Sequence, residues 1–365
     1  MPKRFPLTLV LIAPLVLAAA VYYQSTRPSI HALHGKTMGT TYNIKYVADN
    51  SAPSEDVIGK QVHRALQDVD DRMSTYKPDS ELMRFNRHPV DQPFTASADL
   101  AALIRESQKI SHMSGGAYDV TVGPLVNLWG FGAGNKATVA SLDPTKDDPA
   151  FIQWLAESGA SHVPPADKVQ DAMKAVGYDS VAVDHNQHTL TRLKPVFVDL
   201  SSIAKGYGVD QAARALEAEG ITDYMVEVGG EVRIRGHKPD GQAWRIAIRQ
   251  PELLTEQADG IIEADNKGIA TSGDYLNYYE QDGVHYSHLI DARTGYPEKH
   301  RLASVAVVAD DTATADAYAT MFMILGEEKG LSLAEKEGLA AYFIYHTGKG
   351  FESVASTAFL PYLVQ

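Results

Sequence analysis

The sequence predicts an α+β fold. Its short β-type runs come in clusters set apart by long amphipathic helical stretches, not in the strict strand–helix alternation that a doubly wound sheet needs. Its 365 residues are 44% hydrophobic and 22% charged, the composition of a globular chain long enough to bury a full core. No internal repeat of fixed period appears.

Taken in order, Lys3 and Arg4 precede an apolar run, Phe5 to Val21, that ends at Tyr22 and Tyr23. Basic flank, apolar centre and interfacial aromatics predict an export signal or membrane-anchor helix over 1–23, with Ala18-Ala19-Ala20 as a cleavage option. The run matches the roughly 17–25 residues that span a bilayer. Localisation is therefore expected at the periplasmic side of an inner membrane, or in the periplasm if the signal is removed. Residues 24–36 read as a linker, and 37–365 as the folded domain.

Within that domain, Thr40 to Val47 alternates like a strand, with Tyr42, Ile44 and Tyr46 on one side. Val57 to Met73 carries apolar residues at helical spacing. Ser97 to Met113 predicts a second helix, with Ser97 as N-cap and Gly115-Gly116 as the stop. Residues 133–165 are small, polar and proline-containing and read as a surface insertion with one helical piece around Phe151 to Glu157. Ser201 to Glu219 predicts an amphipathic helix closed by Gly220. Strands are expected at Tyr224–Val228, Val232–Ile234, Arg245–Ile248, Gly260–Glu263 and Gly268–Thr271. Thr312 to Leu325 predicts a helix, and Ala340–Tyr345 a late strand.

Composition removes several function classes. With 33 basic against 46 acidic residues the formal charge is −13, which opposes non-specific nucleic-acid binding. The chain has no cysteine, so disulfides, thiolate metal centres, a thiol nucleophile and lipid attachment through cysteine are all excluded. Gly35-Lys36-Thr37 lacks the upstream glycine of a phosphate-binding P-loop, since Ile30 stands there. Gly130-Phe131-Gly132-Ala133-Gly134 lacks the dinucleotide fingerprint's third-glycine spacing. No His-Glu-x-x-His helix and no Gly-x-Ser-x-Gly elbow occurs.

What remains is a series of polar, glycine-studded segments. They are Lys36-Thr37-Met38-Gly39-Thr40-Thr41-Tyr42, Asp71-Arg72-Met73-Ser74-Thr75-Tyr76, Ser114 to Pro124, Val198 to Tyr207, Glu227-Val228-Gly229-Gly230-Glu231, the pair Ala270–Gly273 and Ser287–Asp291, and Thr314 to Thr320. Two carry sharper physics. Asp316 and Thr320 stand i, i+4 on a helix, so both oxygens leave one face and can reach one hard cation; a solvated Asp beside a Thr bonding to its own backbone fits the same spacing. Asp199 ends a β-type run, and Ser201-Ser202 open a helix whose first turn holds Lys205. That suits phosphate oxygens, and equally a plain N-cap with a surface lysine.

In order and over residues 34 to 350, these segments resemble the motifs of the bacterial FAD:protein FMN transferases, the ApbE-like flavin transferases. The resemblance implies a T-fold-like, two-lobed architecture holding FAD and Mg2+. It implies that FAD is split at its pyrophosphate, FMN is joined by a phosphoester to a threonine hydroxyl of an acceptor flavoprotein, and AMP leaves. Acceptors of this kind include subunits of sodium-translocating NADH:quinone reductase and of Rnf-type complexes. Carried over by motif, Met38 and Tyr76 flank the flavin, Ala117, Tyr118 and Asp119 line the dinucleotide, Asp199 contacts the nucleotide, Lys205 lies near the phosphates, and Ile290 is a further FAD contact. The implied Mg2+ ligands are the Ser202 carbonyl, the Asp316 carboxylate and the Thr320 hydroxyl. His288, with an unperturbed pKa of roughly 6.5, is the candidate base for the acceptor threonine. Two features depart from the family: no lipid-anchored cysteine follows the signal, and residues 133–165 are longer than the usual connection. An Mg2+-dependent FAD pyrophosphatase would use nearly the same residues, and a non-catalytic envelope FAD-binding protein stands as the alternative from another class.

Overall fold

The structure, a computed structural model, describes residues 27–132, 163–184, 186–251, 258–273, 278–281 and 283–364. The expected anchor at 1–23 and the helical piece at 151–157 lie outside them. Its centre is one eight-stranded antiparallel sheet whose strands neighbour each other in chain order. They are β1 (Ser29–Thr37), β2 (Thr40–Ala48), β3 (Tyr224–Val228), β4 (Glu231–Arg235), β5 (Lys267–Gly273), β6 (Leu302–Ala309), β7 (Ala340–Thr347) and β8 (Gly350–Ala355). Two hairpins close through two-residue turns with positive φ at both positions, Met38-Gly39 (48° and 72°) and Gly229-Gly230 (61° and 106°). This turn geometry follows the natural twist of paired strands.

One correction concerns the start of the domain. Residues 29–36, expected as linker, are the edge strand β1, paired with β2 along its whole length. An edge strand with no fully buried side chain shows little of the hydrophobic alternation by which strands are recognised.

Helices cover one face of the sheet. Helix α1 (Glu55–Met73) buries Ile58, Val62, Leu66, Val69 and Met73, the stripe its spacing predicts. Helix α2 (Ala98–Met113) is capped by Ser97, whose Oγ accepts from the Leu100 N–H at 3.2 Å, and it stops at Gly115 and Gly116, both with positive φ. Helix α3 (Ala204–Ala218) begins three residues later than expected, because residues 201–203 form turns. Helix α4 (Thr312–Glu337) continues past Leu325. At Gly326 (φ 79°, ψ 175°) the backbone leaves helical geometry, so the expected end at Leu325 marks a break between two helical stretches, and His300 Nε2 donates to the Met323 carbonyl at 2.6 Å.

The other face of the sheet is covered by a three-stranded sheet (Arg245–Arg249, Ala258–Glu263, Leu363–Val364) and by Phe359. β6 is therefore buried on both faces, Val305 and Val307 toward the helices and Ala306 and Val308 toward the small sheet. Among the described residues, no helix is long and apolar enough to cross a membrane.

Candidate active site

The site is organised by the crossing of α3 and α4. A Cβ on Gly206 would lie 2.2 Å from the Thr312 carbonyl oxygen, so only glycine permits this approach. The start of α4 is held from two sides. Asp311 is its N-cap and accepts from the Thr314 N–H at 2.8 Å; Asp210 on α3 accepts from the Thr312 and Ala313 N–H groups at 3.0 Å each. One turn into α4, the Asp316 carboxylate turns back and accepts from the Gly206 N–H at 2.9 Å.

Above this crossing lies a cavity of about 360 Å³. Its wall includes Tyr76, Tyr118, Asp119, Asp199, Ser202, Lys205, His288, Ile290, Asp316 and Thr320, residues drawn from segments scattered over the whole sequence. Met38 and Ala117 are the two expected residues that do not line it. Met38 sits in the β1–β2 turn, its Sδ against Gly208 of α3, in a backbone conformation uncommon for a non-glycine residue. Ala117 is fully buried, and its carbonyl accepts from the Ala292 N–H at 3.2 Å, tying the 114–121 loop to the segment after Ile290.

The carboxylates on the wall differ in how completely they are paired. Asp119 accepts from the N–H and Oγ1 of Thr121, both at 2.7 Å, and from the Tyr178 N–H at 2.8 Å. Asp199 accepts from the N–H and Oγ of Ser201 at 2.8 and 2.5 Å. Burial pushes both carboxyls above the usual carboxylate range, and these hydrogen bonds only partly oppose it. Asp316 is buried with its single Gly206 bond; burial raises its pKa, opposed by the Lys205 ammonium and that N–H. Burial works against the Lys205 charge, but the Asp316 and Glu231 carboxylates outweigh it and hold the ammonium above its usual range.

Tyr118 is buried to 1% exposure and its phenol is pushed up by burial; its oxygen accepts from the Ser202 Oγ at 2.9 Å. Tyr76, by contrast, is 64% exposed at the mouth. A run of neighbouring rings, Trp129–Tyr286–Tyr279–Phe131, with centroids 5.3–5.6 Å apart, leads to His288, 6.3 Å from Phe131. Trp129 Nε1 anchors that run by donating to the Gly295 carbonyl at 2.9 Å.

Sequence reasoning gave no role to Glu231, although its segment was singled out, nor to Phe131, Thr271, Ser272 and Gly273 on the same wall. For Glu231 the legible signal was a carboxylate placed directly after a Gly-Gly turn, at the first position of a strand.

Four carboxylates and one ammonium line the cavity, a balance that repels a diphosphate unless a cation joins it. Among the described residues no three His, Cys, Asp or Glu side chains gather into a metal cage of their own. Asp316 and Thr320, both on the wall, make a partial oxygen set of the kind that binds Mg2+ together with phosphate and water.

Comparison with known proteins points the same way. The profile of the ApbE family matches residues 38–343. The chain is 41% identical to an FAD:protein FMN transferase of Vibrio cholerae, covering 97% of this chain and 98% of the relative. It is 40% identical to the Haemophilus influenzae FAD:protein FMN transferase, covering 96% of each. Among solved structures, flavin transferase ApbE from Vibrio cholerae superposes with a TM-score of 0.79 at 40% identity, over 92% of this chain and 100% of that one. The apo form of Pseudomonas stutzeri flavinyl transferase ApbE gives the same TM-score at 36% identity, over 92% and 97%.

Proposed function

That the chain belongs to the ApbE family, and like its curated relatives is an FAD:protein FMN transferase, is the premise from which we propose its chemistry: FMN passes from FAD to a threonine hydroxyl of an acceptor flavoprotein, and AMP leaves. The observation that carries this reading is the convergence of Asp199, Lys205, His288, Asp316 and Thr320 on one cavity.

In this reading the threonine oxygen attacks the phosphorus of the FMN half. The bond from that phosphorus to the bridging oxygen breaks, and AMP departs with that oxygen. His288 takes the hydroxyl proton. Lys205, in the first turn of α3, meets the phosphate charge with the help of the helix N-terminus. Tyr76 at the mouth and Ile290 on the wall contact the flavin half.

Asp316, Thr320 and the Ser202 carbonyl are the oxygens that would hold Mg2+. The Ser202 hydroxyl is already engaged with Tyr118, which favours a backbone role for this residue. Bound there, Mg2+ supplies neutralisation of the pyrophosphate and of the charge growing on AMP. A cation also relieves the burial of Asp316 and offsets the excess of carboxylates on the wall.

Acceptors of the kind expected are subunits of sodium-translocating NADH:quinone reductase or of Rnf-type complexes. The basic flank and apolar run at Lys3 to Tyr23 support a domain tethered to, or exported across, the inner membrane and working on its periplasmic side.

The test is to incubate the protein with FAD, Mg2+ and a soluble acceptor domain, then record intact mass and AMP. A gain of one FMN per acceptor with equal AMP is expected. AMP with free FMN and unmodified acceptor makes the protein a pyrophosphatase, and FAD bound without AMP makes it a binding protein.

A further inference from the structure

Strand β4 and helix α3 face each other through a ladder of ion pairs. Residues 231, 233 and 235 alternate along β4 and so leave one face of the strand. Arg235 pairs with Glu217 at 2.7 Å, and Arg233 with Asp210 at 3.5 Å. At the cavity end the pair is Lys205 with Glu231, and there the sign is reversed: helix α3 supplies the cation and the strand the anion.

This rung runs against local electrostatics. Lys205 is the second residue of α3, where the helix dipole disfavours a cation. Glu231 is 2% exposed, and only its Oε1 is paired; Oε2 is buried without a hydrogen-bond partner. A buried oxygen left unpaired costs stability, so the partner that a carboxylate here serves is the Lys205 ammonium. The Gly229-Gly230 turn fixes Glu231 as the first residue of β4, opposite Val228. It thus approaches Lys205 from a rigid strand.

We propose that Glu231 is a positioning residue that fixes the Lys205 ammonium at the phosphate end of the cavity; this rests on the transferase reading above. A lysine has a flexible four-carbon stem and three donors. Unrestrained in this cavity, the ammonium can settle against Asp316. Held by Glu231, it keeps one place, with donors left for a phosphate oxygen. The arrangement carries a distinctive consequence. When ionised, Glu231 is negative beside a diphosphate, so it opposes ground-state binding while sharpening the alignment that matters during reaction.

The experiment is a double-mutant cycle of Glu231→Gln and Lys205→Ala. FAD affinity is read by flavin fluorescence in the presence of Mg2+, and turnover by AMP release with acceptor present. Glu231→Gln should lower kcat roughly 10–100-fold while FAD Kd stays the same or tightens. In the Lys205→Ala background the Gln substitution should change kcat less than twofold, about the error of additivity. A loss carried by FAD affinity, or a kcat loss that persists in full without Lys205, overturns the proposal and makes Glu231 a ligand contact or a purely structural group. If the Gln variant does not fold, Glu231→Asp, one methylene too short to hold Nζ, should show the same kcat loss and the same dependence on Lys205, with FAD Kd unchanged because the charge is kept. Because AMP release and FAD affinity are read directly, a parent that releases AMP without modifying the acceptor defeats the transferase reading and leaves this cycle interpretable.

Discussion

The two ends of the contact between α3 and its neighbours are built from the same residue types and treat them differently. At the far end, Asp210 accepts from two backbone N–H groups at the start of α4 and also meets Arg233, while Glu217 accepts from the Tyr224 hydroxyl and Arg235, each at 2.7 Å. Although burial works against its charge, those two partners hold Glu217 below its ordinary range. At the cavity end, Asp316 has one N–H, and Glu231 has one ammonium and one orphaned oxygen. Burial and the Asp316 charge push Glu231 up to about 7, against the pull of Lys205. Carboxylates of the first kind hold helices together. Those of the second kind line the cavity and have acceptor capacity left for a ligand.

Substitutions should separate the two ends. The largest effect belongs to Asp316→Ala, which removes the one charged ligand of the proposed Mg2+ site and should reduce FMN transfer on the order of 10³-fold, with little recovery at high Mg2+. Unchanged Mg2+ dependence in a titration of turnover would remove α4 from the metal site. His288→Ala should slow transfer about 10²–10⁴-fold at neutral pH while leaving FAD affinity intact; equal rates across the pH range would make it structural.

The far end should answer in stability. Asp210→Ala strands the Thr312 and Ala313 N–H groups, while Arg233 keeps the Asp310 carbonyl and Asn266; a loss of about 2–3 kcal/mol is expected, seen as a fall in Tm in calorimetry. A variant as stable as the parent would mean that α4 does not depend on this cap.

Glu231 predicts a pH effect. Its folded-state pKa of about 7 lies above its ordinary 4.5, so folding favours the protonated form. The stability tied to its protonated form is full below the unfolded value and is lost as pH rises through about 7, on the order of 3 kcal/mol over the whole span. Without metal or FAD, Tm should fall between about pH 4.5 and 7.5, and Glu231→Gln should flatten that slope. An identical slope in both proteins would contradict the assignment. The smallest effect is that of Thr320→Val: one neutral ligand lost, roughly tenfold in transfer at low Mg2+ and recovered at high Mg2+.

Much of this was legible in the sequence, and the gaps have physical causes. The stripes of α1 and α2 announced themselves because each buries one face. β6 was missed because it is buried on both faces, so Leu302-Ala-Ser-Val-Ala-Val-Val-Ala309 shows no alternation. The end expected at Leu325 coincides with the break at Gly326; the helical stretch beyond it, and the His300 contact to the Met323 carbonyl, were not legible. In the site, the Asp316–Thr320 spacing was visible, but the motif resemblance was needed to join it to Asp199 and Lys205, over a hundred residues away. Glu231 stayed without a role because its partner Lys205 lies on another element and is brought to it only by the fold.

The central claim is that incompletely paired carboxylates in this cavity serve a ligand and not the fold. The melting temperature of Asp316→Asn, measured without metal or FAD beside that of Asp210→Asn, tests it most directly. Asn keeps the oxygen that meets the Gly206 N–H and removes a buried charge that repels Glu231. Asp316→Asn should melt at or above the parent temperature, while Asp210→Asn melts below it. If Asp316→Asn instead loses as much stability as Asp210→Asn, the carboxylate at 316 is a structural group like the one at 210, and the distinction between the two ends fails.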